Sequence, residues 1–382
     1  MFLDFLTFEI KLRLRNISTY CYFGLWFILT FLFVAAPDFF VGPGKVLVNG
    51  PFITIIFDVQ FAFFGSIIMA AIFGTSILRD FQRDTYQLVF TKPITKFAYL
   101  GGRWAGSLII TLLVFAAIPL GEACGALAPW ADRTRLGPFN PAMLAYHYAV
   151  IIAPQVFFLG SIFFLVAALT RRVMVVYLQG VALFVVYLIL VVSVLQTHSL
   201  NPYWPAVFDP AGMVMFRTLT RYWTVAEQNT LWAPLTGMFL WNRVVWMCVG
   251  VIALATVYLL FPMSAEALTV RRSRKLKSTE QESTAPPKPR FRHLLPTVSV
   301  DLSFPTRALQ YFSLTRTYFR NIFREIPFWA ITLLLVAFCL INGHFAGTIN
   351  GSSVWPVTYL MLQDVEGNAR VFLYIVSTIY AG

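Results

Sequence analysis

Apolar runs of helix length recur along the chain, separated by shorter stretches that gather nearly all of its charge. Runs at 19–36, 52–78, 104–128, 147–169, 173–195 and 242–261 approach or exceed the roughly 20 residues that a helix needs to cross a hydrocarbon core of about 30 Å. Two more, at 328–341 and from Ala369 onward, follow a long polar interruption. Ahead of the first run, Leu3, Leu6, Ile10, Leu14 and Ile17 recur at helical spacing. Phe5, Phe8 and Leu12 form a second face, and Lys11, Arg13 and Arg15 lie between. The pattern predicts a helix lying in the membrane interface; the plainer alternative is a basic N-terminal flank. With charges inside a periodic helix and no small-residue cleavage site after it, the segment does not resemble a signal peptide.

Composition agrees with the pattern. Hydrophobic residues make up 58% of the chain and charged residues 12%, against about 25% charged in soluble domains. The mean hydropathy is +0.72. The expectation is an all-α, polytopic membrane bundle. The net charge of +12 would suit nucleic acid if it formed a patch, but it sorts by connection instead. Alternate connections, the first holding Lys11, Arg13 and Arg15, carry 22 of the 29 Lys and Arg residues. The positive-inside bias puts those connections, with the N-terminus, in the cytoplasm. The basic excess therefore implies a lipid bilayer as partner and no nucleic acid. Cys21, Cys124, Cys248 and Cys339 show no pair spacing and read as core-packing thiols.

The segment 273–293 is polar, charged and Pro-rich, the signature of a disordered linker. Beyond it the layout of the chain's beginning recurs: Arg320-Asn321-Ile322 repeats Arg15-Asn16-Ile17, and Phe328 falls where Phe23 does. Two unrelated basic helices would give the same pattern. With the repeat, the organisation is a six-span half over 1–262, a cytoplasmic linker over 263–310, and the start of a second half over 311–382. On that layout Gly382 falls just before a second charged loop, and a longer parent protein is expected.

The segment 79–103 is the most informative part of the chain. It carries Arg79, Arg83, Lys92, Lys96 and Arg103 with Asp80 and Asp84, interleaved with Phe81, Tyr86, Leu88, Val89, Phe90, Phe97 and Tyr99. A linker between two spans needs no such mixture, so it reads as a docking surface. A solvated basic connector is the bland alternative.

The second run ends in Gly74-Thr75-Ser76-Ile77-Leu78-Arg79-Asp80-Phe81. Then come Thr91-Lys92-Pro93-Ile94-Thr95-Lys96 and Tyr99-Leu100-Gly101-Gly102-Arg103. That order resembles the permease subunits of type-2 ABC transporters. Pro119-Leu120-Gly121, Leu136-Gly137-Pro138-Phe139 and Gly180-Val181-Ala182-Leu183-Phe184 are similar to a bacterial subgroup in which two permease halves precede a soluble zinc aminopeptidase. The resemblance implies a six-span half in the bacterial inner membrane. It makes the loop a coupling helix seated in a groove of a separate ATPase, with ATP and Mg on that subunit and no cofactor on this chain. A second permease half or a homodimer completes the pathway. Phe81, Leu88, Val89 and Phe90 would anchor the loop, Arg79, Asp80, Arg83 and Asp84 would steer it, and Lys92 and Pro93 belong to the same coupling loop. The resemblance further implies that the segment before the sixth span folds back as short capping helices.

Enzyme chemistry is not expected within the chain. Gly44-Lys45 lacks the rest of a Walker A motif, and no His-Glu-x-x-His or Gly-x-Ser-x-Gly occurs. His147, His198, His293 and His344 stand far apart in sequence, so no zinc site is predicted. Asp58 and Glu122 fall near the ends of their runs rather than at mid-membrane, which argues against a secondary carrier. Gln155 and Gln179 lie deeper and could line a path, or hydrogen-bond between helices. Gly102 with Gly106, and Gly121 with Gly125, allow close helix approach, within the bundle or against a second half. Pro119 and Pro154 predict kinks. Exporter permease is the leading functional reading. The alternative is a membrane anchor for a C-terminally fused aminopeptidase, with no transport of its own.

Overall fold

A computed structural model describes residues 1–36, 45–83, 85–196, 203–263 and 303–324, with scattered positions beyond. Among the described residues the regular structure is helical, apart from a two-residue strand pair, Thr348–Ile349 with Ser352–Ser353. The helices are α1 (Phe2–Leu14), α2 (Ile17–Ala35), α3 (Pro51–Phe64), α4 (Ser66–Gln82), α5 (Tyr86–Phe90), α6 (Lys96–Phe115) and α7 (Ala117–Ala126). After these come α8 (Pro141–His147), α9 (Ala153–Thr170), α10 (Val173–Gln196), α11 (Tyr203–Val207), α12 (Met213–Leu219), α13 (Val225–Thr230), α14 (Gly237–Leu260) and α15 (Phe304–Arg324).

Four helical stretches are long and apolar enough to cross a membrane: Ile17–Ala35, Lys96–Ala126, Pro141–Thr170 and Gly237–Leu260. The pair α3–α4 makes a fifth if counted as one broken span, bent by 41°. A continuous helix over 52–78 was expected there. The break falls at Gly65, where a Cβ would strike the ring of Phe115 and come within 3.2 Å of Trp26. The chain bends where two large rings take the space a side chain would need. These helices suit a multi-pass membrane protein.

Local sequence explains the other breaks. Asn16 caps α2 by accepting from the Ser18 amide, and Thr95 caps α6 by accepting from Ala98. Pro119 has no amide hydrogen to give α6, and the helix changes register at Ala116 before continuing as α7. Pro154 acts likewise at the start of α9, preceded by a π-helical turn, Tyr148–Ile152.

The main core joins α2, α4, α6, α9 and α14 through Trp26, Phe73, Phe115, Phe158, Phe163 and Phe164. A second core closes the end away from α1. There α11 and α12 press Ala206, Met213, Val214 and Phe216 against Ile55 and Val59 of α3 and Phe239 of α14. Asn242 ties this cap down by donating to the Ala206, Val207 and Asp209 carbonyls at 2.8–3.0 Å. The segment for which the resemblance implied short capping helices holds the short helices α11, α12 and α13, ahead of α14.

Two expectations change. Cys21, Cys124 and Cys248 are exposed rather than core residues; an outward thiol costs little where the surrounding solvent is lipid. α15 begins at Phe304, inside the stretch 263–310 assigned to a linker, because Ser303 and Pro305 supply a helix start. The linker core at 273–293, the run at 369–382 and Cys339 lie outside the described residues, as does most of the run at 328–341.

Candidate functional site

The 79–103 segment is built on the end of the bundle that carries α1. α1 lies across α6 at two glycines. A Cβ on Gly102 would sit 2.5 Å from the Phe5 Cβ, and one on Gly106 would sit 2.7 Å from the Glu9 Cβ. This close crossing brings Glu9 into the bundle, where its side chain is fully buried. Three guanidinium groups converge on it. Arg13 donates to Oε1 at 3.0 Å, while Arg79 and Arg103 donate to Oε2 at 2.7 and 3.0 Å.

Arg103 also donates to both carboxylate oxygens of Asp80, at 2.9 and 2.6 Å, and the Tyr99 hydroxyl donates to Asp80 at 2.8 Å. Arg13 continues to the Ile72 carbonyl and the Thr75 hydroxyl. Burial pushes the Glu9 carboxyl up, but the three arginines outweigh it and hold the group below its ordinary range. The result is one ionic network across α1, α4 and α6.

The loop itself is seated by aromatic packing. Phe81 meets Tyr86 at 5.2 Å and Phe261 at 6.3 Å, while Phe90 meets Tyr99 at 5.5 Å and Phe261 at 6.2 Å, mostly edge-on. Arg171 covers Phe81 from 4.6 Å. It ends α9 with φ of 55°, the left-handed region, and among the described residues no other non-glycine does so. Phe81, Val89 and Phe90, expected to face a partner, therefore pack partly against the chain's own core. Arg79 and Asp80, expected to steer, are spent in the network. What the loop presents outward is Arg83, Gln87, Leu88, Lys92, Pro93 and Phe97, with Leu88 71% exposed. Asp84 lies outside the described residues. Beside α5, a cleft of about 370 Å³ opens between α1 and the loop, lined by Phe5, Phe8, Leu12, Arg79, Arg83 and Val89 among others.

The other residues singled out by sequence fall elsewhere. Gly121 and Gly125 are crossed by α2, where a Cβ would lie 2.6 Å from the Phe27 and Phe31 carbonyls respectively. All four glycines thus serve packing within the bundle. Gln155 is buried in the main bundle, and neither of its amide atoms has a hydrogen-bond partner among the described residues. Gln179 is half-buried, and its amide oxygen has no hydrogen-bond partner among the described residues. The two are not brought to the 79–103 site.

Sequence reasoning missed Glu9 altogether. A signal existed: Glu9 stands four residues before Arg13 on one helix, the favourable order for an acid–base pair. Nothing in the sequence brought Arg79 and Arg103 to the same carboxylate. No protein-family model and no curated protein matches this chain.

Proposed function

We propose that the chain is the membrane-spanning permease part of an ATP-driven ABC-type transporter, an exporter, coupled to a separate ATPase through the loop between α4 and α6. It rests in the inner membrane of a bacterium with its N-terminus in the cytoplasm, and pairs with a second permease half or another copy of itself. ATP and Mg belong to the ATPase subunit.

The observation that carries this reading is the state of α5. A helix of five residues does not persist alone in water, yet this one is fixed by the Phe81–Tyr86–Phe90–Phe261 cluster and by the arginine network at its root. So held, it offers Leu88 and a rim of Arg83, Lys92 and Pro93 to whatever lies beyond the membrane surface. Rigid seating with an exposed apolar tip is what a force-bearing contact needs, because a loose loop would absorb displacement instead of passing it to α4 and α6.

The test is affinity purification of the chain from its native membrane. An ATPase carrying a Walker A motif is expected with the wild type and lost with Leu88→Asp, while membrane insertion is retained. Truncating a central anchor costs about 2 kcal/mol or more, roughly thirtyfold in affinity. Recovery of the same ATPase with Leu88→Asp would end the docking assignment. Absence of any ATPase from the wild type would favour the anchor reading.

A further inference from the structure

At the far end of the bundle, away from the Glu9 network, a second set of polar side chains is buried. Thr54 and Asp58 come from α3, Glu122 from α7 and His147 from the last position of α8. Their exposures are 0, 1, 2 and 0% respectively. Sequence placed Asp58 and Glu122 separately near helix ends and left His147 isolated; folding brings the four together.

The hydrogen-bond directions can be worked out. The Thr54 hydroxyl donates to the Gly50 carbonyl at 3.0 Å, so toward His147 Nδ1, 3.2 Å away, it accepts. Nδ1 therefore carries a proton and also points it toward Asp58 Oδ2 at 3.4 Å. The supply of donors ends there. Asp58 Oδ1, both oxygens of Glu122 and His147 Nε2 are buried with no hydrogen-bond partner among the described residues.

Among the described residues, no surrounding charge donates to these atoms. Arg133, after α7, spends its donors on the Ala126 and Ala128 carbonyls. Arg217 of α12 is exposed, and Glu227 of α13 is half-buried and engaged in a capping box with Thr224. Tyr146, next to His147, donates to the Ala233 carbonyl. Asp58 thus faces the His147 imidazole, and Glu122 shares with Thr54 the lining of a small pocket beside it, in a site from which water is almost excluded. Isolated carboxylates in such surroundings are strongly disfavoured, and neutralisation is the ordinary escape.

We propose that Thr54, Asp58, Glu122 and His147 form a proton-binding site, exchanging protons with the membrane face on which α8 begins. The route is a pocket of about 10 Å³ lined by Thr54 and Glu122 together with Asn49, Phe139 and Asn140, the last two exposed. That is close to the space one water needs. Glu122 in the protonated form becomes a donor, which an ionised carboxylate is not. A metal ion fits less well: among the described residues, no three His, Cys, Asp or Glu side chains are grouped closely enough to hold one. The proposal is independent of the docking reading and needs only that the bundle is immersed in lipid.

The experiment uses the purified full chain in lipid nanodiscs and follows the infrared carbonyl band of protonated carboxyl groups. Wild type should show the band at neutral pH, shifting on deuterium exchange and disappearing at alkaline pH. Glu122→Gln or Asp58→Asn should remove it in whole or in part. Thermal unfolding supplies the second readout: wild type should lose stability as pH rises, and Glu122→Gln should flatten that loss. If one variant does not fold, the other and the wild-type titration still decide. Absence of the band in wild type at neutral pH would overturn the proposal, as would a band unchanged in both variants. Loss of the band on adding sodium, potassium or calcium at constant pH would also overturn it, identifying a cation site instead.

Discussion

Glu9 accepts from three arginines; Glu122, at the opposite end and equally buried, accepts from no donor among the described residues. The first carboxylate is encircled by groups of fixed charge, and the network around it sets the geometry of the 79–103 loop. The second shares a small pocket with Thr54, Asn49 and Asn140 and has no hydrogen-bond partner among the described residues, so its state depends on what arrives from outside. Burial alone does not make a polar residue structural. What separates the two ends is whether the bundle supplies the counter-charge.

The largest difference should appear on deleting each acid. Glu9→Ala leaves Arg13, Arg79 and Arg103 without their shared carboxylate and is expected to cost about 3–5 kcal/mol, the range for breaking a buried ion pair from one side. Glu122→Leu removes an acid that no partner stabilises and should be neutral or stabilising on the same scale. Thermal unfolding in detergent measures both. Equal losses would dissolve the distinction between the ends.

The helix crossings allow a smaller break. Gly106 brings α1 against α6, and Gly121 brings α2 against α7. Replacing either with leucine overpacks a close approach and should cost about 1–3 kcal/mol. The consequences should differ by end. Gly106→Leu displaces Glu9 and so should expose the 79–103 loop to protease, whereas Gly121→Leu should lower stability and leave the loop protected. Protease sensitivity at Lys92 reports which has happened.

pH divides the ends by sign, at about 1.4 kcal/mol for each unit by which a group is displaced. Glu9 is held below its ordinary value of 4.5. Its contribution is therefore complete above that value and is lost as pH falls through the lower value of the folded chain. Glu9→Gln should abolish that acid limb. The far-end site predicts the reverse, stability lost on the alkaline side. A wild-type profile that falls only toward acid would leave the Glu9 network standing alone.

The sequence made the bundle legible because the runs are long and apolar, and lipid permits little besides helices for such runs. It also made the importance of 79–103 legible, since mixed charge and aromatics in a connection demand an explanation. The direction each side chain takes was not legible. Phe81 and Phe90 carry the same signal whether they face a partner or Phe261, and only the position of α14 decides. α1 was read with its apolar stripe as the meaningful face. In the fold Leu3, Phe8 and Leu14 are exposed while Glu9 and Arg13 turn inward, as suits a helix with lipid on its outer side. The Asp58–Glu122–His147 meeting joins three helices distant in sequence, and no local pattern encodes it.

The smallest effect tests whether burial, rather than charge, sets the cost at the α1 end. Lys96 and Arg103 lie on the same helix, and both are cations held over aromatic rings. Lys96 is half-buried, its Nζ 5.2 Å from the Tyr258 ring and 3.4 Å from the Leu259 carbonyl, so it links the start of α6 to the end of α14. That hydrogen bond is long, and a partly exposed cation–π contact contributes about 0.5–1 kcal/mol. Arg103 is almost wholly enclosed and bonds to both Glu9 and Asp80. Lys96→Ala should therefore lower stability by no more than about 1 kcal/mol and leave ATPase recovery unchanged. Lys96→Arg should restore most of that loss, since a guanidinium stacks on the same ring. A cost for Lys96→Ala as large as that for Arg103→Ala would mean that α14 is held by this cation. The network would then extend to α14 rather than end at α6.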